Sequence, residues 1–168
     1  MQPNRAKRSR GWSIGQWPPV VVCERTGRWA QAWRGLQSTL RSTDADDIAF
    51  GRPKMTVVES RSTSECSRLL DEHPTAFVVL EWSAAAAESL IELLETQPQR
   101  WPSAAMAAVA DRSLADAEWL AREAGALHWV TSSRRLRPLV EMALRHLQRR
   151  MHVIENTKDA VWSALPWQ

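Results

Sequence analysis

The chain has 168 residues, 44% of them hydrophobic, which fits one domain with a substantial core plus short tails. No apolar run approaches the roughly 20 residues that a bilayer-spanning helix needs, and no apolar segment follows the basic N terminus as in a secretory signal. The net charge of +3 includes a basic stretch in the first ten residues, without a nucleic-acid recognition motif beside it. We therefore expect a cytoplasmic protein and no membrane or nucleic-acid partner.

The first third of the chain predicts a strand and a helix. Residues 1–17 are polar, basic and without periodicity, so we predict a disordered N-terminal tail. The run Val20–Cys23 is apolar and β-branched, which is typical of a fully buried strand. A helix is predicted after Thr26-Gly27 because apolar residues recur at spacings of three to four. Its inner face would carry Trp29, Trp33, Leu36 and Leu40. Residues 42–54 are predicted to be a loop.

The middle of the chain repeats this alternation. A second strand is predicted over 55–59, followed by a helix that Ser62 or Ser64 caps. Pro74 ends that helix, and 76–80 forms a third buried strand. Ser83 then begins a helix that reaches Leu94, and Pro98 and Pro102 bracket a turn. The inner faces of the two helices would carry Cys66, Leu69, Leu70, His73, Ala87, Leu90, Ile91 and Leu94.

The last third predicts two further strands and two helices. Residues 104–110 form a fourth strand of small side chains, and Ser113 caps a helix that Gly125 follows at its C′ position. A fifth strand is predicted over 127–131 and a final helix over 134–150, whose outer face is basic. The inner faces would carry Leu114, Ala117, Leu120, Ala121, Ala124, Leu136, Leu139, Val140, Ala143 and Leu147. The remaining residues 151–168 are a tail with weak helical periodicity that ends Leu165-Pro166-Trp167.

Five strands alternating with five helices predict an α/β fold over residues 18–150. Right-handed crossovers place such strands in one doubly wound parallel sheet with helices on both faces. Functional sites of such sheets form at the carboxyl ends of the strands. The two cysteines, Cys23 and Cys66, form neither a disulfide framework nor a zinc motif, and each is predicted to be a small buried hydrophobe.

The order and lengths of these elements resemble the response-regulator receiver domain, a flavodoxin-like fold. The run from Val20 to Glu24 is similar to the family's first strand, which ends in an acidic pair. The segment 123–126, Glu-Ala-Gly-Ala, is similar to the junction before the family's fifth strand, and Trp129 falls where the family keeps an aromatic residue. The resemblance implies a strand order of 2-1-3-4-5 and a role in two-component signal transduction.

The phosphorylation chemistry of a receiver needs residue types that this sequence lacks. In the family, an acidic pair holds Mg²⁺, an aspartate accepts the phosphoryl group, and a hydroxyl and a lysine bind its oxygens. The resemblance places Cys23 and Glu24, then Leu80 or Glu81, then Ala110 and Ser132 at those positions. A thiol is a poor magnesium ligand, leucine cannot accept a phosphoryl group, and alanine cannot bind one. We therefore predict a degenerate pseudo-receiver without catalytic residues, and we expect no cofactor and no Mg²⁺.

Two interpretations remain for Glu24 and Glu81 at the strand ends. They could form a remnant cation or ligand site, or they could be solvated loop carboxylates, as most surface acids are. Asp111 could join them, although a Ser113 cap suggests that it merely precedes a helix. No His, Ser/His/Asp or Gly-rich pattern adds a metal, nucleophile or phosphate site.

A partner surface is the more informative prediction. Trp119 lies on the outer side of the predicted fourth helix, and exposed tryptophans edged by arginine are typical of binding hot spots. The resemblance places the usual dimer and partner surface of the family at the fourth helix, fifth strand and fifth helix. The candidate contacts are Trp119, Trp129, Arg134, Arg137, Trp162 and Trp167. Alternatively, Trp119 packs under a loop, and the tail folds back on its own domain.

The hypothesis is a non-catalytic adaptor or signalling module that binds a protein partner, or a second copy, without aspartyl phosphorylation. One alternative is an atypical receiver that a ligand or phosphoryl group switches at the cleft of Glu24 and Glu81. Another is a nucleic-acid-associated regulator that binds through its basic tail.

Overall fold

A computed structural model describes residues 17–43 and 55–163, without the side chains of 39–43, 152–156 and 158–163. Its centre is a five-stranded parallel sheet with the order β2-β1-β3-β4-β5. The doubly wound topology predicted from the sequence is confirmed. The strands are β1 Val20–Cys23, β2 Val57–Ser60, β3 Phe77–Trp82, β4 Ala105–Ala110 and β5 Trp129–Val130.

Helices connect consecutive strands and cover both faces of the sheet. The α-helices are α1 Arg28–Thr43, α2 Thr63–Glu72, α3 Ala87–Arg100, α4 Glu118–Glu123 and α5 Arg137–Ser163. Short 3₁₀ turns, Arg112–Ala117 and Ser133–Arg135, precede α4 and α5. None of the helices in the described part of the chain combines the length and apolar character that a bilayer crossing requires.

The sheet separates the core into two layers because successive strand residues point to opposite faces. In β3, Phe77 and Val79 pack with α1 and α5, whereas Val78 and Leu80 pack with α2, α3 and α4. The predicted inner face of α5 is confirmed, since Leu136, Leu139, Val140, Ala143 and Leu147 are all buried. The near-continuous apolar runs of the strands thus follow from burial on both sides.

The end of α3 differs from the prediction. The helix continues through Pro98 to Arg100, so the turn expected between Pro98 and Pro102 begins later. A proline so close to the helix end removes one N–H donor but disturbs few further hydrogen bonds. The Gln97 side-chain amide then donates to the carbonyls of Trp101 and Ala104, both at 3.0 Å. These bonds fix the chain where it turns into β4.

The region of α4 also differs. Ser113 was predicted to cap a long helix, but a 3₁₀ turn occupies Arg112–Ala117 and Asp111 stands at its N-cap position. Leu114 has non-helical angles of φ −107° and ψ 18°, which interrupt the helix before α4 begins at Glu118. The fifth strand is shorter than the predicted 127–131, and Leu127 is exposed. The apolar periodicity of the sequence overestimated the length of both elements, because it contains no information about backbone angles.

The last helix extends beyond the expected end of the domain. α5 runs without interruption from Arg137 to Ser163, so the segment predicted as a separate tail from residue 151 begins inside a helix. Residues 1–16, 44–54 and 164–168 lie outside the described part of the chain, and with them lie most of the predicted disordered N-terminal tail, most of the 42–54 loop and the terminal Leu-Pro-Trp.

Gly125, which was predicted to end the fourth helix, has a φ of +114° that L-amino acids rarely adopt. We expect Gly125→Ala to lower the free energy of unfolding by about 1–3 kcal/mol, because alanine would be strained there. Gly35→Ala is the matched control: it lies within α1, where an added Cβ meets nothing within 4 Å, so it should raise stability by up to about 1 kcal/mol. Urea denaturation measures both values, and an unchanged Gly125→Ala protein would contradict the argument.

Candidate functional site

The register of the sheet brings the predicted acidic residues to one edge. Cys23, the last residue of β1, pairs with Leu80 of β3, and Trp82 at the end of β3 pairs with Ala110 at the end of β4. Glu24 and Glu81 each follow this Cys23–Leu80 pair directly. Both carboxylates therefore start from adjacent strands at the carboxyl edge, where sites of parallel sheets form.

Glu24 caps the N terminus of α1 from inside the protein. Its side chain is only 2% exposed, and its two oxygens accept the backbone N–H groups of Trp29 at 2.8 Å and Ala30 at 2.7 Å. The first N–H groups of a helix lack partners within the helix and lie at its positive end, so a carboxylate stabilises them. The interpretation of Glu24 as a solvated loop carboxylate is therefore wrong, since its charge is buried and satisfied by backbone donors.

Glu81, and not Leu80, faces this edge of the sheet. Leu80 is completely buried in the layer under α2, α3 and α4. The Glu81 carboxylate accepts the backbone N–H of Arg25 at 2.8 Å and the indole N–H of Trp29 at 3.2 Å. Of the two residues that the resemblance placed at the acceptor position, Leu80 packs in the core and Glu81 has its carboxylate at this edge.

Trp29 joins the two carboxylates, although the sequence indicated only a core residue of α1. Its backbone N–H donates to Glu24 and its indole N–H donates to Glu81. The side chain is nevertheless 1% exposed and belongs to the α1 and α5 layer of the core. Sequence periodicity identified its burial, but no sequence signal reports which polar group its indole nitrogen reaches.

An ion pair bridges the loops above Glu81. The Arg28 guanidinium contacts the Asp111 carboxylate at 2.7 Å, with side-chain exposures of 44% and 63%. The same guanidinium stacks on the Trp29 ring at 4.6 Å from its centroid. Asp111 is thus linked to this edge through Arg28, which the sequence did not indicate, and it also directly precedes the 3₁₀ turn, as the second interpretation expected. An exposed pair of this kind contributes about 0–1 kcal/mol, so it organises the loops more than it stabilises the fold.

The other positions at this edge carry little phosphoryl-binding chemistry. Ala110 is fully buried at the end of β4 and has no hydroxyl group. Ser132 is half-buried and precedes the 3₁₀ turn, and its hydroxyl makes no capping hydrogen bond. Within residues 17–43 and 55–163, no group of three or more His, Cys, Asp or Glu side chains could hold a metal ion.

The predicted partner residues separate into exposed and buried ones. Trp119 on α4 is 68% exposed, and Leu127, which follows α4, is 54% exposed. Trp129 is only 6% exposed and packs edge-on against Trp82 at 5.8 Å, so its prediction as a partner contact is wrong. Its place in β5 points the ring into the layer under α4, where the indole fills the core.

The remaining predicted partner contacts are two arginines and two C-terminal tryptophans. Arg134 is exposed in the 3₁₀ turn, and Arg137 is exposed but forms an ion pair with Glu141 at 3.0 Å. Trp162 lies within α5, but its side chain is not described, and Trp167 lies outside the described residues. The surface that can be evaluated is therefore that of Trp119 and Leu127, which we call the α4 apolar patch.

We expect Glu24→Gln to lower the free energy of unfolding by about 2–3 kcal/mol, because an amide offers only one acceptor oxygen to two buried N–H donors. The matched control is Glu95→Gln on the exposed side of α3, which should change stability by less than about 0.5 kcal/mol. Urea denaturation followed by circular dichroism measures both. Equal stability of the two variants would mean that the cap of α1 does not depend on the Glu24 charge.

Comparisons with known proteins concern the fold. No protein-family model and no curated protein matches the chain. A response regulator from Thermotoga maritima is similar with a TM-score of 0.55 at 15% identity, over 79% of this chain and 98% of the other. The CheY-like protein tadZ from Pseudomonas aeruginosa is similar with a TM-score of 0.50 at 19% identity, over 74% and 92%. A protein from Burkholderia pseudomallei described as pilus assembly-related reaches 0.55 at 14% identity, over 80% and 94%.

These likenesses agree with the parallel sheet of order β2-β1-β3-β4-β5 and with the helices that cover it. The chain has the fold of the response-regulator receiver domains.

Proposed function

We propose that this protein is a pseudo-receiver, a non-enzymatic signalling module of the cytoplasm that binds a protein partner without being phosphorylated. The observation that carries the proposal is the state of the two carboxylates at the receiver-like edge. All four oxygens of Glu24 and Glu81 already accept N–H groups from α1 and from the loop before it. The acidic groups of the edge therefore hold the structure together.

The same hydrogen bonds argue against Mg²⁺ as a cofactor. Magnesium prefers hard oxygen ligands in near-octahedral geometry and loses its own water reluctantly. Here, Glu24 is buried and oriented by the α1 backbone, and its neighbour Cys23 offers sulfur in place of a second carboxylate. If Glu24 turned to coordinate Mg²⁺, the two N–H groups at the start of α1 would lose their hydrogen-bond acceptor. The free-energy cost would therefore be higher than for an exposed carboxylate that has no such role.

The loops near Glu81 also favour a fixed conformation. The Glu81 carboxylate places a permanent negative charge at the acceptor position, and the N–H groups of Arg25 and Trp29 hold it. Arg28 then links the loop after β1 to Asp111 after β4. These contacts exist without a phosphoryl group, so we propose that the partner surface is formed independently of phosphorylation at this edge.

The α4 apolar patch is the proposed contact for the partner. Scattered exposed apolar residues are ordinary on protein surfaces, but tryptophan is strongly enriched among the residues that dominate binding energy. Trp119 keeps about two thirds of its surface exposed at the side of the sheet that β5 closes. Removal of that ring from water is the largest apolar gain that a single exposed side chain of the described region offers.

The first test titrates the protein with beryllofluoride and Mg²⁺, which mimic a phosphoryl group, while tryptophan fluorescence is recorded. Trp29 donates to Glu81 and Trp82 follows it in sequence, so two indoles report on this carboxylate. We expect no saturable change. A saturable, Mg²⁺-dependent change that Glu81→Gln abolishes would overturn the proposal and favour the alternative of an atypical receiver switched at this cleft.

The second test compares proteins captured by the full chain and by its variants. We expect a partner that binds the unmodified chain and Glu81→Gln equally, and whose affinity falls at least about tenfold with Trp119→Ala, as at a typical hot spot. Arg68→Ala is the control that should bind normally, since it is an exposed substitution on α2, which packs on β1 and β2 at the opposite edge of the sheet from β5. Binding that persists with Trp119→Ala would contradict the assigned surface, and an affinity that falls steeply with salt would instead favour nucleic acid.

A further inference from the structure

The two cysteines of the chain meet beneath the carboxyl edge of the sheet. Cys23 is the last residue of β1, and Cys66 lies on the inner side of α2, which packs on β1. Both are free thiols, they belong to the same core layer, and they are 7% and 0% exposed. The sequence suggested two independent buried hydrophobes, whereas the fold brings two thiols together.

A third polar group completes this cluster. Ser60, the last residue of β2, pairs with Cys23 in the sheet and is fully buried. Its hydroxyl has no nitrogen or oxygen hydrogen-bond partner among the described residues. Burial of a hydroxyl without such a partner is unfavourable. The Ser60 hydroxyl lies beside the two thiols of this layer.

The electrostatics of the cluster make the two thiols unequal. The neighbouring Cys66 thiol lowers the pKa of Cys23 most strongly, and Ser60 lowers it further against the opposing effect of burial. The pKa of Cys66 is raised, first by Cys23 and then by burial. Cys23 is also the more exposed of the two, at 7% against 0% for Cys66, so it is the sulfur that a small oxidant reaches first. In a pair of neighbouring thiols, one sulfur can act as the nucleophile, and the other can then form a disulfide with its oxidised product.

We propose that Cys23 and Cys66 are a redox modification site, at which a peroxide converts the two thiols into a disulfide that ties β1 to α2. In the first step, the Cys23 thiolate sulfur attacks one peroxide oxygen, the O–O bond breaks, and the leaving hydroxide takes a proton to become water. Cys23 is then a sulfenic acid. In the second step, the Cys66 sulfur attacks the Cys23 sulfur, and the hydroxyl group leaves as water with the proton of Cys66.

The balance of this reaction is two thiols and one hydrogen peroxide giving one disulfide and two waters. A thiol-containing reductant reverses it through thiol–disulfide exchange. The product is intramolecular because a cysteine of a second protein chain cannot enter the domain, whereas a small peroxide or dithiol can approach Cys23, which is 7% exposed. The disulfide would close the loop from the end of β1 to α2, next to Glu24, which caps α1.

The experiment treats the reduced full chain with hydrogen peroxide, alkylates the remaining thiols in denaturant, and digests the protein without reduction. Since the chain has only two cysteines, mass spectrometry assigns the product directly. We expect the peptides of Cys23 and Cys66 to be joined, the alkylated thiols to fall from two per chain to none, and dithiothreitol to restore them. The protein should remain a single chain on a non-reducing gel.

Single substitutions test the order of the two steps. Cys66→Ser should leave Cys23 as a sulfenic acid that dimedone labels, whereas Cys23→Ser should leave Cys66 unmodified at the same peroxide concentration. If a variant does not fold, the mass spectrometry of the peroxide-treated unmodified chain still tests the proposal. The control is the urea-unfolded protein, which the same peroxide treatment should oxidise. Two free thiols in the folded chain after that treatment would overturn the proposal, and so would disulfides that form only between chains.

Discussion

The buried carboxylate of Glu24 is the interaction on which the arrangement at the carboxyl edge depends. An ionised group inside a protein is tolerated only when hydrogen bonds replace its water. The N–H groups of Trp29 and Ala30 do so, and in return their own unpaired positions at the start of α1 are satisfied. This reciprocal satisfaction fixes α1 on β1, and α1 in turn carries the indole that reaches Glu81.

The receiver fold and the receiver chemistry depend on different residues of the chain. The fold requires apolar strands and amphipathic helices, and both are present. The chemistry requires free carboxylate oxygens, a hydroxyl and a lysine at the same edge. Glu24 and Glu81 use their oxygens within the structure, and Ala110 and Ser132 replace the other groups.

The proposed partner surface and the proposed thiol pair occupy different parts of the sheet. The α4 apolar patch lies by β5 at one side, whereas Cys23 and Cys66 lie between β1 and α2. Glu81, in β3, lies between these regions in the strand order.

The sequence by itself determined the order of the strands and helices, because burial on both sides of a parallel sheet imposes long apolar runs and helical periodicity. It also placed Glu24, Glu81 and Ala110 at the strand ends, and it placed Trp119 on an outer helix face. Only the tertiary structure decided that Glu81 and not Leu80 faces the edge, that Arg28 reaches Asp111, that Trp129 is buried, and that Cys23 meets Cys66. Those facts depend on register and on contacts between residues far apart in the chain, and local patterns contain no information about either.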